Sequence, residues 1–123
     1  MPADCVLWFD ARCSASRRAL ELLRERGVEP DLRRFLEEPP TAEEIVALLR
    51  CLGAPPHALA RADADEYQAL RLSERTPPDE LIRALVQHPR ILDRPIIVSG
   101  GRAVVVRQPE RISELFPFPR EAE

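Results

Sequence analysis

The stretch CVLWFDARCSASRRALELLRERG, residues 5–27, decides the fold. It opens with the continuous apolar run Cys5 to Phe9, the mark of a strand buried on both faces. A short polar break, Asp10 to Ser14, follows. From Ser16 the period changes to that of a helix. Ala19, Leu20, Leu22 and Leu23 fall on one face, while Arg17, Arg18, Glu21 and Arg24 fall mostly on the other. Gly27 stands where the glycine that ends a helix belongs. The next stretch, Pro30 to Leu36, reads as a second strand. Parallel strands joined by a helix form a βαβ unit, which places the chain in the α/β class.

Downstream the pattern is first helical and then again that of strands. Thr41 with Glu44 three residues later is a capping box ahead of the apolar run Ile45 to Leu49. Pro55-Pro56 breaks the chain, and a short irregular segment carries Ala58 to Arg61. Thr76-Pro77-Pro78 opens a helix over Asp79 to Gln87 with Leu81, Ile82, Leu85 and Val86 on its apolar side, and Pro89 ends it. Pro95 to Val98 reads as a buried strand, Ser99-Gly100-Gly101 as a tight hairpin turn and Ala103 to Val106 as the antiparallel partner. A short helix from Pro109 to Leu115 closes the order: β-α-β, several helices, then β-β-α. No repeat or low-complexity segment interrupts it.

Composition narrows the function classes. A chain of 123 residues, 45% hydrophobic and 32% charged, suits one compact domain. No run of about 18 apolar residues is present, so no membrane span is expected. The N-terminus lacks the basic start and apolar stretch of a secretory signal, which makes the cytoplasm the expected compartment. With a net charge of -3, neither nucleic acid nor an anionic membrane is an expected partner. All 18 basic residues are arginine, so an arginine is informative only by its place. Its planar fork suits oxyanions better than an ammonium does.

Three cysteines, Cys5, Cys13 and Cys51, are too few and too widely spaced for a disulfide framework or a zinc site, and with only His57 and His88 no metal centre is expected. Cys13 stands apart from the other two. It lies directly after a buried strand and at the start of a helix, where free backbone N–H groups favour a thiolate. Arg12 and Arg17 flank it and act in the same direction. Open α/β sheets bind their ligands at this end of the strands. Cys5, inside the first strand, and Cys51, after the Thr41 helix, read as packing residues, and either could serve as a resolving thiol. Position 16, where dithiol oxidoreductases carry a second cysteine, holds Ser16. The product of a monothiol must therefore be released by an outside thiol.

Several of these segments recur together in one family. The chain resembles the glutaredoxin-coupled arsenate reductases along nearly its whole length. The resemblance lies in Cys13-x-x-Ser16-Arg17, Leu36-Glu37-x-Pro39-Pro40, Arg61 after the double proline, Gln87-His88-Pro89, Arg94-Pro95-Ile96-Ile97-Val98 and Arg107-x-Pro109. It implies a thioredoxin-like mixed β-sheet flanked by helices, with a helical insertion in the middle. The resemblance also implies a cis Arg94–Pro95 bond facing the active cysteine. One such domain is expected over residues 1–118, with a loose tail at 119–123 in the Pro-rich end of the chain after Phe116. By the same resemblance, Cys13 would attack arsenate while Arg61, Arg94 and Arg107 hold the oxyanion, with glutathione as co-substrate, glutaredoxin as partner and no bound cofactor. Arg94 and Arg107 flank two strands of one hairpin, so antiparallel pairing should bring them together.

The loop ahead of the cysteine departs from the family. The reductases carry His-Asn-Pro before the cysteine segment, and this chain has Phe9-Asp10-Ala11-Arg12. Phe9 removes a polar partner for the thiolate, and Asp10 brings an adverse negative charge that Arg12 would offset. Three functions follow in order of expectation. The first is arsenate reduction, the second a glutathione-dependent thiol reductase with another substrate, and the third a non-enzymatic interaction module like the superfamily's transcriptional regulators. His88 reads as the cap of the helix before Pro89, and His57 has no evident partner.

Overall fold

The computed structural model describes residues 5–115. These fall into two compact units, one joining the chain up to Arg34 with the chain from Arg94 onward, the other formed by Phe35–Asp93. The tail expected at 119–123 lies outside the described residues.

The first unit is built on a four-stranded mixed sheet. Its strands are β1 (Cys5–Trp8), β2 (Asp31–Arg33), β3 (Ile96–Ser99) and β4 (Arg102–Val105), and helix α1 (Ser14–Glu25) links β1 to β2. The order across the sheet is β2-β1-β3-β4. β1 runs parallel to β2, with Leu7 opposite Leu32, and antiparallel to β3, with Leu7 opposite Ile97. β4 returns antiparallel along β3. β1 is thus a central strand, and the continuous apolar run that marks it supplies both faces: Cys5, Leu7 and Trp8 are all buried.

The core of this unit gathers Leu7 and Phe9, Ala19 and Leu23 of α1, Val28, Ile97, and Val104, Val106 and Ile112. The 3-10 segment Pro109–Glu114 packs on α1 and buries Ile112. Sequence periodicity predicts a helix there, and six residues suit the tighter 3-10 form. α1 begins at Ser14 rather than Ser16, which makes Cys13 its N-cap residue. β2 is shorter than Pro30 to Leu36 because its ladder to β1 ends at Trp8 opposite Arg33. At the hairpin, Gly100 and Gly101 have φ of 58° and 76°, backbone that favours glycine.

The second unit is helical and lies between β2 and β3 in the chain. It contains α2 (Ala42–Leu52), a 3-10 turn Pro56–Leu59, α3 (Asp65–Ala69), α4 (Pro78–Gln87) and a 3-10 turn Pro89–Ile91. The capping box at the start of α2 is complete. The Glu44 N–H donates to Thr41 Oγ1 at 3.1 Å, and the Thr41 N–H donates to Glu44 Oε1 at 3.0 Å. α4 packs against α2 and both 3-10 turns, and Ile45, Leu48, Leu59, Leu81, Leu85, Ile91 and Leu92 are buried. α2 runs through Cys51, so this cysteine lies in the last turn of the helix, half-buried, rather than after it. His57 has a partner that sequence reading does not find: its Nε2 lies 3.1 Å from the Thr76 carbonyl oxygen.

Candidate active site

The turn that ends on Cys13 is organised by Asp10. The Cys13 N–H donates to the Asp10 carbonyl oxygen at 2.9 Å. The Arg12 N–H donates to Asp10 Oδ1 at 3.0 Å, and the Asp10 N–H donates to Ser16 Oγ at 3.4 Å. A short polar side chain that accepts from the backbone two residues on is a common way to fold such a turn. Ser16, at the position of a second cysteine in dithiol enzymes, is fully buried. Arg17 reaches back over the turn and donates from Nη1 to the Ala11 carbonyl oxygen at 2.8 Å.

Cys13 itself is half-buried, with φ -89° and ψ 121°, and its carbonyl oxygen accepts the first bond of α1 from the Arg17 N–H at 3.1 Å. No side chain caps the N–H groups of the first turn, and no acidic residue occupies it. That leaves the positive end of the helix dipole at the Cys13 position.

Strand β3 brings the second part of the site. Arg94 precedes it, buried, and its Nη1 donates to Asp10 Oδ2 at 3.2 Å. The two side chains are only 6% and 12% exposed, so this is an ion pair in a poorly solvated place. Sequence reading makes Arg12 the counter-charge to Asp10. The structure corrects this: the cation paired with the carboxylate is Arg94, and Arg12 meets it through its backbone N–H.

The Arg94–Pro95 bond is cis, as the family resemblance implies. The Val106 N–H donates to the Pro95 carbonyl oxygen at 2.8 Å, and Ile96 pairs with Val105. The backbones flanking Arg94 and Arg107 therefore meet across the hairpin, as antiparallel pairing predicts, and Arg107 is exposed. Arg61 belongs to the helical unit. Its N–H donates to the Ile91 carbonyl oxygen at 2.7 Å and its guanidinium lies 3.9 Å from Asp63. Its assignment to the site rests on the family pattern.

The other thiol of this unit has a different environment. Cys5 is 2% exposed, and burial, with a smaller contribution from the Asp31 charge, pushes its pKa up from the ordinary 9.0 to about 11. It reads as core. Phe9 is buried in the same core, with the Arg34 guanidinium 5.6 Å from its ring centroid. His88 ends α4 by donating its N–H to the Ala84 carbonyl oxygen at 2.8 Å, and its Nδ1 lies 3.2 Å from Glu66 Oε2. Among the described residues, no group of three His, Cys, Asp or Glu side chains could hold a metal ion, and no helix is long and apolar enough to cross a membrane.

Known proteins fit this architecture. The sequence pattern of the ArsC family matches residues 9–115. The chain is 39% identical over 117 residues to the uncharacterized protein YfgD of Escherichia coli K12, covering 94% of this chain and 98% of that protein. It is 34% identical over 116 residues to an arsenate reductase of the same organism, covering 94% of this chain and 82% of the other. The solved structure of an arsenate reductase from Vibrio cholerae superposes with a TM-score of 0.87 at 33% identity, covering 93% of this chain and 98% of that one. On the sheet, the thiol turn and the match over nearly its whole length, this chain is a member of the ArsC family.

Proposed function

We propose that the protein is a monothiol oxidoreductase that reduces arsenate, with Cys13 as nucleophile. The observation that carries the reading is Cys13 at the N-cap of α1, half-exposed, on a turn tied to Arg94. Supporting it, relatives named arsenate reductase match 92–98% of this chain at 31–37% identity.

In this reading the Cys13 thiolate attacks arsenic and an oxygen leaves as water, giving a sulfur–arsenic bond. Arg94 and Arg107 hold the remaining oxygens through charge-assisted hydrogen bonds, the role that the family resemblance also gives to Arg61. The thiolate of glutathione then attacks the Cys13 sulfur. A disulfide forms, and the electron pair of the sulfur–arsenic bond leaves with arsenic, which departs as arsenite. Exchange with a second glutathione, through glutaredoxin, restores the Cys13 thiol and yields oxidised glutathione. Ser16 leaves no internal thiol for this last step at the position dithiol enzymes use. Arg12 and Arg17 support the turn, and Pro95 sets the strand entrance beside it.

A second reading, a glutathione-dependent reductase acting on another substrate, is favoured by one observation. Arg94 is already ion-paired to Asp10, which lowers the net positive charge offered to a dianion. Calorimetric titration separates the two, since tight arsenate binding without glutathione counts against it. For the first reading, purified protein with glutathione and glutaredoxin should convert arsenate to arsenite, and Cys13→Ser should abolish this while keeping the fold. No turnover by the intact protein would overturn it.

A further inference from the structure

We propose that Asp10 is a positioning residue for the Cys13 reaction, acting through Arg94 to set how strongly the site holds a highly charged oxyanion. The inference rests on the functional reading above. It starts from four bonds made by one residue. Asp10 accepts the Cys13 and Arg12 N–H groups, donates its own N–H to Ser16, and takes the Arg94 guanidinium on its remaining carboxylate oxygen. The last of these joins residues 84 positions apart, and it couples the thiol turn to the entrance of β3.

The carboxylate acts in two opposed ways. A buried, charge-assisted bond fixes the guanidinium in one orientation, and preorganised donors accelerate a reaction that moves charge among substrate oxygens. The same negative charge cancels part of the Arg94 field and repels an approaching anion, which weakens binding of the ground state. A residue that only held the fold together would do neither.

Asp10→Asn separates the effects. The amide keeps an oxygen to accept the Arg12 N–H and removes the charge. We expect KM for arsenate to fall and kcat to fall with it, each by about three- to tenfold, leaving kcat/KM nearly unchanged. A purely structural role would lower activity at constant KM.

A second readout needs neither arsenate nor glutathione, so it stands even if the substrate is another. At neutral pH, iodoacetamide should modify Cys13 several-fold faster in Asp10→Asn, where the Arg94 cation bound to the Cys13 turn has lost its partner. It should act several-fold slower in Arg94→Gln, where the carboxylate has lost its own. Cys5 reports the fold, since it stays unmodified while the core is intact. Opposite shifts at Cys13 with Cys5 protected support the proposal. Equal Cys13 rates in all three proteins, or Cys5 reacting together with Cys13 in both variants, overturn it.

Discussion

Cys5 and Cys13 belong to the same unit of the fold, yet they should differ in reactivity by more than their exposure alone implies. The perturbation is a pulse of iodoacetamide on the native protein at pH 8. Burial, with a contribution from Asp31, raises the Cys5 pKa from 9.0 to about 11. At pH 8 about one Cys5 in a thousand is then ionised, against about one in ten for the same thiol in the unfolded chain, roughly a hundredfold difference. Since the residue is 2% exposed, the reagent must also wait for an opening of the sheet, which slows it further. Mass spectrometry of the labelled peptides should show Cys13 modified while Cys5 remains free, and both modified at similar rates once the chain is denatured. The sign of the accompanying stability effect follows from the raised pKa. Between about pH 9 and pH 11 the folded chain keeps a proton that the unfolded chain has lost. This contribution is complete below pH 9 and is lost as the pH climbs to 11, by about 3 kcal/mol at most. Native Cys5 labelled as fast as Cys13 would refute the placement of that thiol in the core and reopen its use as a resolving thiol.

Two substitutions test the packing that supports the site. Leu23→Ala removes a fully buried side chain of α1 and should cost about 2–5 kcal/mol, read as a lower denaturation midpoint. Thr41→Ala removes the Oγ1 that accepts the Glu44 N–H at the start of α2 and should cost about 1 kcal/mol, a Tm lower by a few degrees with Cys13 alkylation unchanged.

Much of the fold is legible because its signals are local. The apolar run of β1, the period of α1, the Thr41–Glu44 box and the Gly100-Gly101 turn each lie within a few residues of what they specify, and each forms where expected. β2 is overestimated because Leu32, Phe35 and Leu36 look alike in sequence, while only a neighbouring strand decides where a ladder stops. α3 gives little signal: five residues whose N-cap, Ala64, offers no side chain to hold the first turn. At the site, Cys13 is found from its place between strand and helix. The charge of Asp10 is legible as adverse to an anion, but its pairing with Arg94 is not, because that partner is distant in sequence. Only the pairing of β1 with β3 carries one to the other. A short acidic residue three positions before the cysteine is a turn-former, and that was the available clue to its structural part.

The central claim is that the Cys13 sulfur carries the chemistry, and it is tested most directly by trapping what forms on it. The protein is mixed with glutathione alone, arsenate alone, or both, without glutaredoxin, then quenched with acid and mapped by mass spectrometry. The account predicts a glutathione disulfide on Cys13 only when both are present, with arsenite released in equal amount. A disulfide that forms equally without arsenate, or that appears on Cys51 while Cys13 stays reduced, would contradict it.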